Sequence, residues 1–317
     1  MGDYKGTLAI YNYETGEILC AVTTPTYDPD NVPDIAGSTD GVYQGVYLNR
    51  FTQSAYTPGS IYKIVTAAAA LEAVPGIESQ EFVCYGTVEY GIDKVTCEED
   101  HGVQSFQDAF KNSCNCAFAQ IAGQIGGERL TWYAEQFGIL GALKFDGITT
   151  VKGSIDAAGR ADVLVAWSAI GQHKDLVNPA SFLAFVSAVA NNGILKAPHL
   201  VDSIQVGIKT TYRVDDGKYP DKRIISTTTA KTLKEMMRNN VENYYGDENF
   251  AGFTVCAKSG TAEVGGDKKP NAMFTGFVLD EGYPLAFMVA IEEGGYGRPT
   301  CVPVLQKVLA VCKDALN

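Results

Sequence analysis

The chain has 317 residues, 46% hydrophobic and 20% charged, which suits a sizeable core in one large domain or two ordinary ones. Its formal net charge of −12 offers no phosphate-neutralising basic face and argues against a nucleic-acid partner. No run of about 18 apolar residues occurs, so no membrane span is expected within these residues. Met1-Gly2-Asp3 runs straight into a strand-like segment with no leader, as expected of a domain cut from a longer protein.

Residues 5–13 and 16–24 alternate or run apolar around Glu14-Thr15 and predict a β-hairpin. Residues 25–47, rich in Pro, Asp, Gly and Tyr, read as a surface connection. Pro58-Gly59 then breaks the backbone ahead of an apolar run, predicting a turn and a buried helix that ends near Pro75-Gly76. Residues 81–101 hold short strand-like pieces, and 105–125 and 128–138 predict helices. Apolar helices are expected over 161–171 and 179–191, the second stopped by Asn192-Gly193. Residues 198–206 predict a strand, 209–223 a loop or hairpin, and 226–241 a helix opened by a Ser/Thr cap. Three strands (253–258, 272–279, 285–292) and a helix over 302–316 complete the order.

Strands at both ends must pair to bury their faces. The expectation is an α+β fold: one antiparallel sheet of about five strands built from both chain ends, with helices on both faces. The α/β part would cover about 1–60 and 225–317, and a largely helical part about 60–225. No internal repeat or low-complexity segment is seen.

Three stretches carry chemistry. Ser60 falls at the head of the first buried helix, where unpaired N–H groups favour negative charge on a reacting oxygen. Lys63 follows three positions later on the same face; a desolvated ammonium there would lose its proton more readily and could serve as base for the hydroxyl. Alone, the pair equally suits an N-cap and a lysine reaching solvent. Ser113 and Asn115 could present a hydroxyl and an amide to the same cleft, or merely cap a helix. Lys258-Ser259-Gly260-Thr261 ends a predicted strand and offers a cation, two hydroxyls and close backbone approach to a carboxylate-bearing peptide. The Thr261 N–H could complete an oxyanion hole with that of Ser60. An ordinary edge strand with a surface lysine is the plainer reading.

Ser60-x-x-Lys63, Ser113-x-Asn115 and Lys258-Ser259-Gly260 stand in the order found in penicillin-interacting serine enzymes. TGEILCAVTTPTYDPD, NRFTQSAYTPGSIYKIVTAAAALE, HGVQSFQDAFKNSCNCAFAQIA, IGQHKDLVNPASFLAFVSAVANNG and AKSGTAEV extend the likeness over nearly the whole chain. It resembles the transpeptidase domain of class B penicillin-binding proteins. The resemblance implies a peptidoglycan D,D-transpeptidase on the outer face of the bacterial membrane, tethered by an N-terminal helix absent here. Ser60 would be acylated by a D-Ala-D-Ala stem peptide and pass the acyl group to a neighbouring amine. It would likewise be acylated by β-lactams. Lys63 would act as base and Ser113 as proton relay to the leaving amine. Asn115 would hold the acyl side-chain amide, Lys258 tune the field, and Ser259, Gly260 and Thr261 receive the terminal carboxylate. No cofactor is expected for catalysis, and a cell-wall synthesis complex would form through the missing N-terminal region. The third motif departs from the usual Lys-Thr-Gly at Ser259. A serine β-lactamase or D,D-carboxypeptidase, or a β-lactam sensor without turnover, are the rival readings; no Glu-x-x-Leu-Asn segment of the class A lactamase kind follows Asn115.

Eight cysteines are many for such a domain. In an exported chain a disulfide, Cys84–Cys97, is the default. The sharper alternative is structural zinc held by Cys84, Cys97, His101 and Cys114, with Cys116 or Asp100 as substitutes for the last. Cys114 and Cys116, two apart, are not expected to face one site. Cys20, Cys256, Cys301 and Cys312 read as independent buried thiols. Arg50, Tyr62 and His173 read as structural, and Glu263 is left unassigned.

Overall fold

The organising element is a five-stranded antiparallel sheet, and the computed structural model describes it within residues 2, 4–39, 41–214 and 221–315. In chain order the strands and helices open with β1 Gly6–Asn12, β2 Ile18–Thr24 and α1 Lys63–Ala73. A small module follows: β3 Glu81–Cys84, β4 Thr87–Tyr90, β5 Asp93–Thr96 and β6 Gly102–Ser105. Helices α2 Phe106–Lys111, α3 Asn115–Ile125 and α4 Gly127–Gln136 lead to the short pair β7 Lys144–Phe145 and β8 Ile148–Thr149. Then come α5 Asp162–Ala169, α6 Pro179–Ala190, β9 Ile194–Leu195, β10 Ser203–Val206, β11 Lys209–Arg213 and β12 Lys222–Arg223. Last are α7 Thr227–Asn240, β13 Val255–Ala262, β14 Asn271–Val278, β15 Leu285–Ile291 and α8 Gly297–Ala315.

The sheet order is β13-β14-β15-β1-β2, so the N-terminal hairpin joins the three late strands as expected. Register pairs Ala9 with Met288 and Lys258 with Thr275. Every residue of β14 and β15 is buried. A strand apolar on both faces needs cover on both. Helix α8 packs on one face, where Leu305 and Leu309 meet Phe274 and Phe287. Helices α6 and α7 lie on the other, with α1 packed against α7, and all twelve residues of α6 are buried. Asn178 caps α6 by accepting from the Ser181 N–H, with Pro179 in its first turn, and Ser226 caps α7 by accepting from Thr229 N–H.

The structure corrects several sequence expectations. The helix predicted over 105–125 is two helices: Asn112 to Cys114 interrupt it, with Ser113 in the left-handed region at φ 53°. No glycine marks that break, so periodicity runs straight through it. Ser60 lies in a 3-10 turn, Gly59–Tyr62, and α1 proper begins only at Lys63. The strand predicted over 198–206 shrinks to β10, which forms a hairpin with β11. Positions 215–220 of the polar stretch, and residue 316 at the end of the last predicted helix, lie outside the described residues. That helix begins at Gly297, five residues earlier than its apolar pattern suggests, because its first turn packs at the sheet edge.

Candidate active site

One cleft, of about 1230 Å³, brings the three motifs together: Ser60, Ser113, Asn115, Lys258, Ser259 and Thr261 all line it. Lys63 lies buried directly beneath.

The Ser60 side is built by backbone contact. Gly59 has φ 55°, and a Cβ there would collide with the Thr261 carbonyl; one at Gly260 would meet Pro58 O at 2.8 Å. The Ser60 turn therefore seats directly on β13, which only glycine at both positions permits. A bond from Gly59 N–H to Gly171 O, 2.8 Å, ties the turn to the chain after α5. On β13, Ser259 N–H donates to Tyr245 Oη at 2.9 Å, off the sheet edge. By the two-residue period of a strand, Thr261 N–H also faces away from β14, beside the Ser60 turn.

The Ser113 side is built from side chains. Lys63 Nζ lies 3.0 Å from Ser60 Oγ, 2.6 Å from Ser113 O, 3.2 Å from Ser113 Oγ and 2.7 Å from Asn115 Oδ1. The positive φ of Ser113 turns both its carbonyl and hydroxyl toward this amine. Burial draws the Lys63 pKa down to about 8, against a smaller opposing pull from the neighbouring Cys97. Lys258 Nζ donates to Ser113 Oγ at 3.0 Å and Ser259 O at 3.1 Å. Its pKa is pushed well below the usual lysine range, by burial and by repulsion from Lys63. Ser113 Oγ thus sits between two amines, in reach of each. Asn115 Nδ2 donates to Thr96 O at 2.9 Å, which anchors the amide to β5.

Behind this side the ligand atoms of Cys84, Cys97, His101 and Cys114 lie within 4.8 Å of one another. Cys84 Sγ and Cys97 Sγ stand 3.5 and 3.6 Å from His101 Nδ1, and Cys97 Sγ stands 3.9 Å from Cys114 Sγ. Tetrahedral zinc with Zn–S near 2.3 Å places its sulfurs roughly 3.8 Å apart, so this donor set fits that ion. A disulfide needs about 2.05 Å. All eight cysteines are free thiols, so the Cys84–Cys97 crosslink expected by default is not formed. Cys116 is buried and is not among these four ligand residues, as its two-residue spacing from Cys114 predicted. Burial pushes its thiol up to about 12.

Of the residues read as structural, Arg50 is buried and pairs with Glu292 at 2.8 Å, and Tyr62 is fully buried. His173 lines the cleft, 3.3 Å from Asp156, as does Glu263. Sequence reasoning missed Tyr245, Gln172 and Arg298 on the cleft wall. Gln172, in the Ile-Gly-Gln piece, stood inside a quoted stretch of likeness and could have been found there. Tyr245 follows α7 in a single π turn, which no periodicity announces.

The penicillin binding protein transpeptidase domain model matches residues 6–310. A peptidoglycan D,D-transpeptidase PbpA from Mycolicibacterium smegmatis is 29% identical over 93% of this chain and 63% of its own length. Stage V sporulation protein D from Bacillus subtilis is 28% identical over 96% of this chain and 48% of its own. The chain thus spans about half to two thirds of the relatives it matches. Among solved structures, the ceftriaxone acyl-enzyme of penicillin-binding protein A from M. tuberculosis superposes with TM-score 0.83 at 25% identity, covering 99% of this chain and 74% of that one. The D,D-transpeptidase domain of a peptidoglycan glycosyltransferase from Eggerthella lenta gives TM-score 0.84 at 26% identity, over 99% and 78%. With the three motifs converging on one cleft and the family model covering almost all of the sequence, the chain belongs to the penicillin-binding protein transpeptidase domain family.

Proposed function

We propose that this chain is a serine D,D-transpeptidase of peptidoglycan that is also acylated by β-lactams. The observation that carries it is the buried Lys63 amine, 3.0 Å from Ser60 Oγ and drawn down to about 8. An amine of that basicity is poised near neutral pH to take the hydroxyl proton as Ser60 attacks the peptide carbonyl between the two D-alanines. The N–H groups of Ser60 and Thr261 stabilise the oxyanion. Ser113, in reach of both amines, passes the proton to the departing D-alanine nitrogen. Asn115 holds the acyl amide, Lys258 supplies positive field, and Ser259 and Thr261 receive the terminal carboxylate beside Gly260. A neighbouring stem-peptide amine then attacks the ester, returning its proton along the same path.

The partners are accordingly stem peptides and β-lactams, with a cell-wall synthesis assembly as a further partner. The place of action is the outer face of the cytoplasmic membrane; among the described residues no helix is long and apolar enough to cross it. Within the same reading, Cys84, Cys97, His101 and Cys114 hold a structural zinc. Its chemistry would be a crosslink between the β3–β6 module and the Ser113–Asn115 turn, off the path of the reaction.

Mass spectrometry after brief exposure to penicillin tests the core of this reading: one adduct, mapped to Ser60 and lost in Ser60→Ala. Label on another side chain, or none, overturns it. Release of many hydrolysed lactams per second would mark a β-lactamase instead. Metal analysis of protein purified without added zinc should give one ion per chain; substoichiometric metal removes the zinc assignment.

A further inference from the structure

Ser259 occupies the place where the family pattern has threonine, and a serine hydroxyl has more rotamers to choose among than a β-branched one. Something else must aim it. Tyr245 lies in the π turn Val241–Tyr245 after α7, buried against Phe274 with ring centroids 5.3 Å apart. Its hydroxyl makes two contacts with one residue: it accepts from Ser259 N–H at 2.9 Å and lies 2.9 Å from Ser259 Oγ.

The directions follow from counting protons. The phenol oxygen already receives the Ser259 N–H, and its own proton needs an acceptor in a buried place. Leaving a buried donor unpaired is costly. Ser259 Oγ is the acceptor in range, so the phenol donates to it. The Ser259 proton then has only the cleft to point to. Burial pushes the Tyr245 pKa up to about 12, which keeps the phenol protonated at working pH. Thr261 is treated alike: its Oγ1 accepts from Gly297 N–H at 3.2 Å, freeing its proton too.

We propose that Tyr245 is a positioning residue that converts Ser259 into a committed hydrogen-bond donor for the carboxylate of the bound ligand. This rests on the reading of Ser259 as a carboxylate contact, given above. Tyr245 itself touches no reacting atom. It also caps the edge of β13 at Ser259, so that a ligand backbone laid along the strand meets its first free N–H at Thr261.

The test compares acylation by one cephalosporin as the free acid and as its methyl ester, in wild type, Tyr245→Phe and Ser259→Ala. Each second-order rate constant is taken with excess lactam, so the acid-to-ester ratio does not depend on how much of a variant is folded. In Tyr245→Phe the ratio is expected to fall about tenfold, a size typical of a lost hydrogen bond to a charged group. A comparable or larger fall is expected in Ser259→Ala. An unchanged ratio in Tyr245→Phe alongside a fall in Ser259→Ala overturns the role of Tyr245 alone. An unchanged ratio in Ser259→Ala removes the carboxylate contact itself, and with it this inference. A purely structural role for Tyr245 would slow acid and ester alike and leave the ratio where it was, which also overturns the proposal.

Discussion

The two walls of the cleft are built by different means. On the Ser60 side the chain is held by a ladder of buried strands, and the Ser60 turn rests on β13 through glycines and main-chain bonds. On the Ser113 side a left-handed turn between two helices is held by lysine, asparagine and cysteine side chains. A wall made of backbone tolerates most side-chain changes and resists only added bulk. A wall made of side chains keeps its shape only while each contact survives. The second should therefore be the more easily broken by single substitutions and by solution conditions.

The sharpest break is Lys63→Met, which keeps the buried volume and removes the amine. Acylation by a fluorescent penicillin should fall about 10²–10⁴-fold, as for a lost general base, with the fold retained by circular dichroism. Retained acylation would mean that the Ser113 wall does not supply the base. Next is pH. With the Lys63 pKa lowered to about 8 by burial, the competent neutral amine grows as pH rises, so acylation should climb through about pH 8 and then level off. A flat profile from pH 6 to 9 would count against that role. Third, Cys84→Ser removes one ligand of the proposed zinc behind this wall; if that ion is held, metal content should drop from one per chain to near none, and acylation slow about tenfold through loss of order around Asn115. Full metal content with unchanged acylation would uncouple the two.

The backbone wall is probed by Gly260→Ala, whose methyl would press on Pro58 O and Ile61 N. A loss of about 1–3 kcal/mol in denaturant unfolding is expected, with slowed acylation. A change of stability rather than of rate concerns Asp175, where burial raises the carboxyl to about 7. A carboxyl near 3.9 when unfolded and about 7 when folded favours the protonated fold. Its stability is full below about pH 4 and is lost as pH rises through 7. Asp175→Asn should remove that slope and hold stability up at pH 8; melting curves from pH 4 to 8 that keep the wild-type slope would refute it.

Much of the backbone wall was legible beforehand. Alternating and wholly apolar runs located the five strands, because burial of both sheet faces leaves an unmistakable composition in β14 and β15. Ser226 announced α7 through a cap that satisfies orphan N–H groups, and Asn192-Gly193 marked where α6 stops. The motif residues were also found, and all reach one cleft or lie under it. The arch at Ser113 was not foreseen, since a non-glycine residue at positive φ leaves no compositional trace. Cys116 was read correctly as standing outside the ligand set that holds Cys114. Tyr245 escaped because its part depends on meeting an edge strand fourteen residues away, which spacing cannot express.

Strand β1 lies between β2 and β15, its Gly6 opposite Ile291. A ribosome has thus released Ser60, both amines and the arch before the last partner of the first strand exists. Until the polypeptide has been made past Ile291, β1 has β2 alone beside it and the sheet has no continuous centre. Closing a loop of that length is slow and entropically dear. Reactivity toward penicillin should hence appear late in synthesis, as one event, rather than growing as each motif emerges.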